Sequence, residues 1–188
     1  MSRSHATRQR LQRVALELFT ERGFDNVTVE EIANTAGVSH MTFFRNFPSK
    51  ESVVLDDPYD PLVGAAVAAQ DGRSPALERV RRGVLGAFAQ LDEPEDEMVR
   101  QKIRLAAGHP GLRARVWENN LRTEETIVTA LTDSGTPHLE ASVAAGAVLG
   151  ALTAALFDWA TNDDGGNLGE RITRALDLLA AGHRLVGT

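Results

Sequence analysis

Thr28-Val-Glu-Glu-Ile-Ala-Asn-Thr-Ala-Gly37-Val-Ser39-His-Met-Thr-Phe-Phe-Arg-Asn46 is the stretch on which the fold turns. Thr28 and Glu31 stand three apart, the spacing of a capping box: the threonine hydroxyl meets the amide of Glu31 and the glutamate carboxylate reaches back. They open a short helix that buries Ile32, Ala33 and Ala36. Gly37 ends it, because glycine adopts the left-handed backbone without steric cost. Ser39 is then the N-cap of a third short helix running through His40 to about Arg45. Upstream, Leu11, Val14, Ala15, Leu18 and Phe19 fall on one stripe at the helical period. Gly23 follows them at the C′ position, with Phe24 placed at C″ to touch Phe19. Ser49, after Pro48, caps a fourth helix.

Two short helices joined by a tight glycine turn, with a longer helix ahead of them, make a helix-turn-helix plan. Ala33 sits where the two helices cross, and Val38 plugs the space beneath the Gly37 turn. The N-terminal end of the third helix is the part that enters a DNA major groove, with Ser39 and its neighbouring amides placed for a phosphate. Charge agrees with this division. The 188 residues carry a formal net charge of -6, yet residues 1–50 hold seven Arg/Lys against five Asp/Glu. Arg3, Arg8, Arg10 and Arg13 stand with no acid among them. They read either as a phosphate-facing cluster or as a solvated helix face.

The segment Phe24-Asp-Asn-Val-Thr-Val-Glu-Glu-Ile-Ala-Asn-Thr-Ala-Gly-Val-Ser39, followed by Thr42-Phe-Phe-Arg-Asn-Phe-Pro-Ser-Lys-Glu51, resembles the DNA-binding domain of the TetR family of bacterial transcriptional regulators. The likeness covers roughly residues 8–55. It implies that Thr28, Ser39, Thr42, Phe44, Asn46 and Lys50 touch DNA or its phosphates, and His40, Met41 and Arg45 complete the candidate set on the third helix. Family members usually carry Gly where Met41 stands and Tyr where Phe44 stands, so a bulkier side chain faces the groove here and a phenol hydroxyl is missing. The Thr-Phe-Phe-Arg-x-Phe-Pro-Ser-Lys form is similar to a subgroup associated with mycofactocin gene clusters and acyl-CoA-like ligands.

Downstream, Asp56-Asp-Pro-Tyr-Asp-Pro61 reads as a break and a hinge, at Pro58 and Pro61, between a DNA-binding domain of 1–55 and a helical domain of 56–188. Ser74-Pro75 reads as N-cap and first turn of a helix bearing Leu77, Val80, Val84, Leu85, Phe88 and Leu91. Pro94 opens another helix to about Ala107, ended by Gly108-His-Pro-Gly111, and a long one follows from about Leu112 to Leu131. On that helix Leu112, Val116, Asn120, Thr123, Ile127 and Leu131 share one arc. Polar groups inside an apolar arc are either satisfied core hydrogen bonds or the orienting contacts of a ligand pocket. The ligand-binding candidates are therefore Phe88, Trp117, Asn120, Thr123, Ile127 and Phe157. Val143–Trp159 is apolar nearly all round and rich in Ala and Gly, which fits a helix buried by a neighbour. By the resemblance, the helices at about 137–161 and 168–186 pair with their copies in a homodimer. An intramolecular bundle is the alternative.

The chain has no cysteine, and none of its five histidines has a glutamate three residues before it. It also contains no Gly-x-Gly, no Gly-Lys-Ser/Thr phosphate loop and no Gly-x-Ser-x-Gly elbow. The expectation is an all-α protein that is not an enzyme, takes no cofactor and holds no metal. No apolar run follows the charged N-terminus and none reaches eighteen residues, so neither a signal peptide nor a membrane span is expected, and the cytoplasm is the expected compartment. The expected function is transcriptional regulation: a repressor released from a pseudo-palindromic operator by a small apolar or acyl-CoA-like ligand. A regulator without a small-molecule ligand, and a helical carrier of apolar ligands, are the alternatives.

Overall fold

The computed structural model describes residues 3–55, 60–90, 97–162 and 166–185, which form ten α-helices and no strand. The chain divides into two compact units, Met1–Asp56 with Glu97–Arg113, and Asp57–Asp96 with Ala114–Thr188.

In the first unit, α1 (Arg3–Arg22) is followed by a single 3₁₀ turn (Phe24–Asn26), α2 (Val29–Thr35), α3 (His40–Asn46) and the one-turn α4 (Ser52–Leu55). The capping box forms as its spacing predicts, with Thr28 Oγ1 accepting from the Glu31 N–H and Glu31 Oε2 accepting from the Thr28 N–H at 2.8 Å. Gly37 has φ 65°, and the two bonds of a Schellman ending are present: Val38 N–H to Ala33 O at 2.9 Å and Gly37 N–H to Asn34 O at 3.0 Å. At Gly23 the backbone has φ 81° and ψ 148°, a region open to glycine but outside the left-handed helical well. The Phe19 and Phe24 rings still meet, with centroids 4.8 Å apart. Ser49 and Ser52 cap each other ahead of α4, each hydroxyl accepting from the other's amide.

The α1 core is wider than one stripe. Leu11, Val14, Ala15, Leu16 and Phe19 are buried while Leu18 is half-exposed. Besides α2, α3 and α4, α1 meets α7 (Glu97–Gly108), which packs on α4 as well and buries Ala106. A domain boundary drawn once, at 55/56, therefore misses a return of the chain: residues 97–113 rejoin the first unit.

The second unit contains α5 (Asp60–Ala68), α6 (Ala76–Phe88), α9 (His138–Thr161), α10 (Leu168–Leu185) and most of α8 (Pro110–Asp133), whose first turn belongs to the first unit. The hinge expected at Pro58 lies outside the described residues, as do Leu91 and Pro94. Pro61 does not break a helix. It is the second residue of α5, where a missing N–H leaves no hydrogen bond unmade. At α6 the N-cap is Pro75 rather than Ser74.

α9 packs on α10 and α6, burying Ala141, Ala144, Ala145, Val148, Leu149 and Trp159. This helix is long and apolar enough to cross a membrane by length and composition, yet here it forms the middle of a helical bundle. α5 lies on α6 at Gly83, where a Cβ atom would stand 2.9 Å from the backbone N and Cα of Val67. Arg79, 1% exposed, crosses from α6 to the turn after α8 and donates to Ser134 Oγ at 2.8 Å and Thr136 Oγ1 at 3.3 Å. Because backbone blocks the Cβ at Gly83, Gly83→Ala is expected to destabilise the protein by about 1–3 kcal/mol. The urea midpoint is the check, and an unchanged midpoint would refute the close approach.

Candidate nucleic-acid interface

At 100° per residue, His40, Met41, Phe44 and Arg45 occupy one arc of α3 and Thr42, Phe43 and Asn46 the other. The structure keeps this division, with the first four exposed, Phe43 fully buried and Thr42 and Asn46 half-buried. Burial of Phe43 against Phe47, ring centroids 5.9 Å apart, anchors the helix and turns the first arc outward. Phe44 packs against His40 at 4.7 Å and against Phe43 at 5.4 Å.

The polar candidates are differently placed. Ser39 Oγ accepts from the Thr42 N–H at 3.2 Å and lies 2.9 Å from Thr42 Oγ1, so the two hydroxyls serve each other. Asn46 donates from Nδ2 to Thr42 O at 2.8 Å, and its own carbonyl accepts from Arg8. Arg8 also lies 4.1 Å over the Phe47 ring, so this member of the basic N-terminal cluster is a packing group, while Arg10 and Arg13 are exposed. Thr28 is exposed but is held in the capping box.

Lys50, assigned to DNA by the resemblance, has its ammonium turned inward. It donates to Phe24 O at 2.8 Å and Val27 O at 3.0 Å and stands 4.3 Å over the Phe24 ring. Two of its three donors are thus used on the backbone that leads into α2.

His109 is a residue that motif reading passed over. It is the residue before Pro110, the first residue of α8, and its Nδ1 accepts from the Leu112 N–H at 3.2 Å as an N-cap. Nε2 therefore carries the hydrogen and donates to Asp25 Oδ1 at 3.1 Å, while the ring packs 5.0 Å from Phe24. The His-Pro dipeptide ahead of an apolar arc was the available signal.

The effector candidates differ in burial. Ile127 and Thr123 are buried, Phe88 and Phe157 are half-buried, and Trp117 is 49% exposed. Asn120 Nδ2 donates to Thr153 Oγ1 at 2.9 Å, and Thr153 passes its hydrogen to Leu149 O at 2.9 Å. Thr123 donates to Asn119 O. The open groove between α6 and α10, about 1160 Å³, is lined by Leu77, Arg81 and Leu178 among others, and a smaller one of about 370 Å³ by Leu77, Leu139 and Val143. None of the six candidates lines either groove. Leu139, Val143 and Leu178 are strongly exposed, which leaves an apolar strip on α9 and α10.

Residues 11–56 match the family model of bacterial regulatory proteins, tetR family, and residues 74–184 match that of the MftR C-terminal domain. The chain is 38% identical over 117 residues to the HTH-type transcriptional regulator TcmR of Streptomyces glaucescens, covering 57% of this chain and 51% of that protein. That match thus spans about half of the relative's length. It is 28% identical over 185 residues to the mycofactocin biosynthesis transcriptional regulator MftR of Mycobacterium tuberculosis, covering 96% of this chain and 92% of that one. Its fold is similar to that of Thermus thermophilus FadR, a transcriptional repressor solved with lauroyl-CoA, at TM-score 0.51 and 25% identity over 92% of this chain and 93% of that chain.

One electrostatic feature of the helix-turn-helix is directly testable. Hydrogen bonds from the Thr28 N–H, then from Arg22 and the Thr28 hydroxyl, hold the Glu31 carboxyl at about 2. A carboxyl depressed on folding adds stability above its unfolded pKa of about 4.5 and loses it as pH falls through about 2. Glu31→Gln keeps the capping acceptor and cannot titrate. The stability difference between wild type and Glu31→Gln, from urea midpoints, is expected to be constant above pH 5, to shift against wild type as pH falls, and to level off only below about pH 2. A pH-independent difference would refute the assignment.

Proposed function

Because this chain belongs to the tetR family of bacterial regulatory proteins, with a C-terminal region of the MftR type, we propose that it is a homodimeric repressor that leaves its operator when a small molecule binds. The carrying observation is the outward arc of α3, where His40, Met41, Phe44 and Arg45 are exposed together while Phe43 locks the helix from behind. Each subunit sets that arc in a major groove. Ser39, Thr42 and Asn46 brace the helix, Lys50 clamps its approach, and Thr28 presents its hydroxyl beside the phosphates.

Two copies related by a two-fold axis read a pseudo-palindrome with half-sites one helical turn, about 34–36 Å, or a multiple of it apart. Pairing through α9 and α10 is supported by the exposed strip of Leu139, Val143 and Leu178. Its work is binding rather than catalysis, and its place is the cytoplasm with the DNA.

The effector is an elongated apolar or acyl-CoA-like molecule, a class supported by the lauroyl-CoA bound to Thermus thermophilus FadR. Such a ligand releases DNA only by the difference in its affinity for the DNA-bound and DNA-free states. The second reading, a regulator controlled without a small molecule, is favoured by the pairing of Asn120 with Thr153 and of Thr123 with Asn119 O. These bonds leave the arc of α8 satisfied without a ligand.

Selection of duplex DNA by the full chain tests the first reading. One palindromic sequence is expected to be enriched, its affinity falling steeply and linearly on logarithmic axes with salt. Arg45→Ala is expected to weaken binding about tenfold, the scale of one charged DNA contact. Leu139→Asp should convert the dimer to monomer in sedimentation. Absence of enrichment would refute DNA reading, and unchanged operator affinity across a chain-length series of acyl-CoAs would leave the ligand-free reading standing.

A further inference from the structure

Of the four residues on the outward arc of α3, His40 and Arg45 carry groups that can hydrogen-bond a base, and Met41 and Phe44 carry none. Thr42 is turned to Ser39, and Asn46 spends its amide on the Thr42 carbonyl. Beside His40 and Arg45 project two apolar side chains, Met41 at 63% exposed and Phe44 at 41% exposed. Phe44 is held between the His40 and Phe43 rings, so its orientation is set before any partner arrives. Among the described residues, both side chains stay open to solvent.

In the major groove the edges of adenine, guanine and cytosine present donors and acceptors, and thymine alone adds a 5-methyl group. An apolar side chain pressed against a donor or acceptor strips its water and returns no bond. Against a thymine methyl it loses nothing and buries carbon on both sides. Resting on the DNA-binding reading above, we infer that Met41 and Phe44 are specificity-determining residues that recognise the 5-methyl groups of thymines under α3. His40 keeps Phe44 in place for this contact and acts as a positioning residue. Arg45, 40° further around the helix from Met41 at 100° per residue, supplies the charged contact that the apolar pair lacks.

The test uses the full chain and the duplex it enriches from a randomised library. Each thymine of that duplex is replaced singly by deoxyuridine, which pairs identically and lacks only the methyl. At least one thymine in each half-site is expected to show binding about fourfold weaker on replacement, the transfer value of one buried carbon. In Met41→Ala or Phe44→Ala that deoxyuridine penalty is expected to disappear at the thymine the altered residue contacts. Met41 is exposed, so its substitution leaves the fold intact, and an unchanged thermal unfolding curve verifies this. Deoxyuridine duplexes that all bind as tightly as the parent would overturn the inference while leaving DNA binding established. A penalty that is the same in wild type and in both variants would overturn it too, assigning the effect to duplex shape. Failure of the library to enrich any sequence would overturn both the inference and the DNA-binding reading.

Discussion

The ring of Phe24 is gripped from three directions, and the geometry of the DNA-binding unit depends on that grip. Phe19 of α1 meets it at 4.8 Å, the Lys50 ammonium covers it at 4.3 Å, and His109 closes it at 5.0 Å. The same Lys50 holds the carbonyls of Phe24 and Val27. The connection between α1 and α2 is therefore tied at once to the helix before it, to the segment after α3 and to the start of α8. A helix-turn-helix reads DNA only if α3 is presented at a fixed attitude, and here a short loop is made rigid by cation–aromatic contact and backbone capture.

Rigidity also governs how α3 handles its polar side chains. Ser39, Thr42 and Asn46 are spent on caps and on internal hydrogen bonds, which stabilise a helix of seven residues that would not persist alone. The consequence is a reading surface whose exposed atoms are largely carbon, with Arg45 and His40 as its polar members. Structural economy and recognition chemistry are thus set by the same residues. A helix this short cannot leave its hydroxyls and amide idle.

In the second unit the equivalent constraint is proximity of backbones. Gly83 admits the backbone of α5 to α6, and the alanines of α9 admit α10 and α6. Small side chains let these helices meet closely. The exposed leucines and valine on α9 and α10 leave apolar surface outside the bundle, where a second copy is proposed to cover it.

The elements legible in the amino-acid order were those made by contacts within a few residues. The Thr28–Glu31 capping box, the Gly37 turn, the Ser39 cap and the Phe19–Phe24 contact are local, so spacing alone specified them. The arc of α8 followed from the 100° repeat for the same reason. Tertiary structure decided what depends on partners distant in sequence. Pro61 was readable as a breaker, yet α5 begins beside it because a proline in a first turn loses no bond. Only packing showed that α7 returns to the first unit, that Trp117 is exposed and that Asn120 is satisfied by Thr153, 33 residues away. Lys50 makes the case most clearly: that its ammonium reaches the carbonyls of Phe24 and Val27, 26 and 23 residues upstream, depends on tertiary packing and on no local spacing.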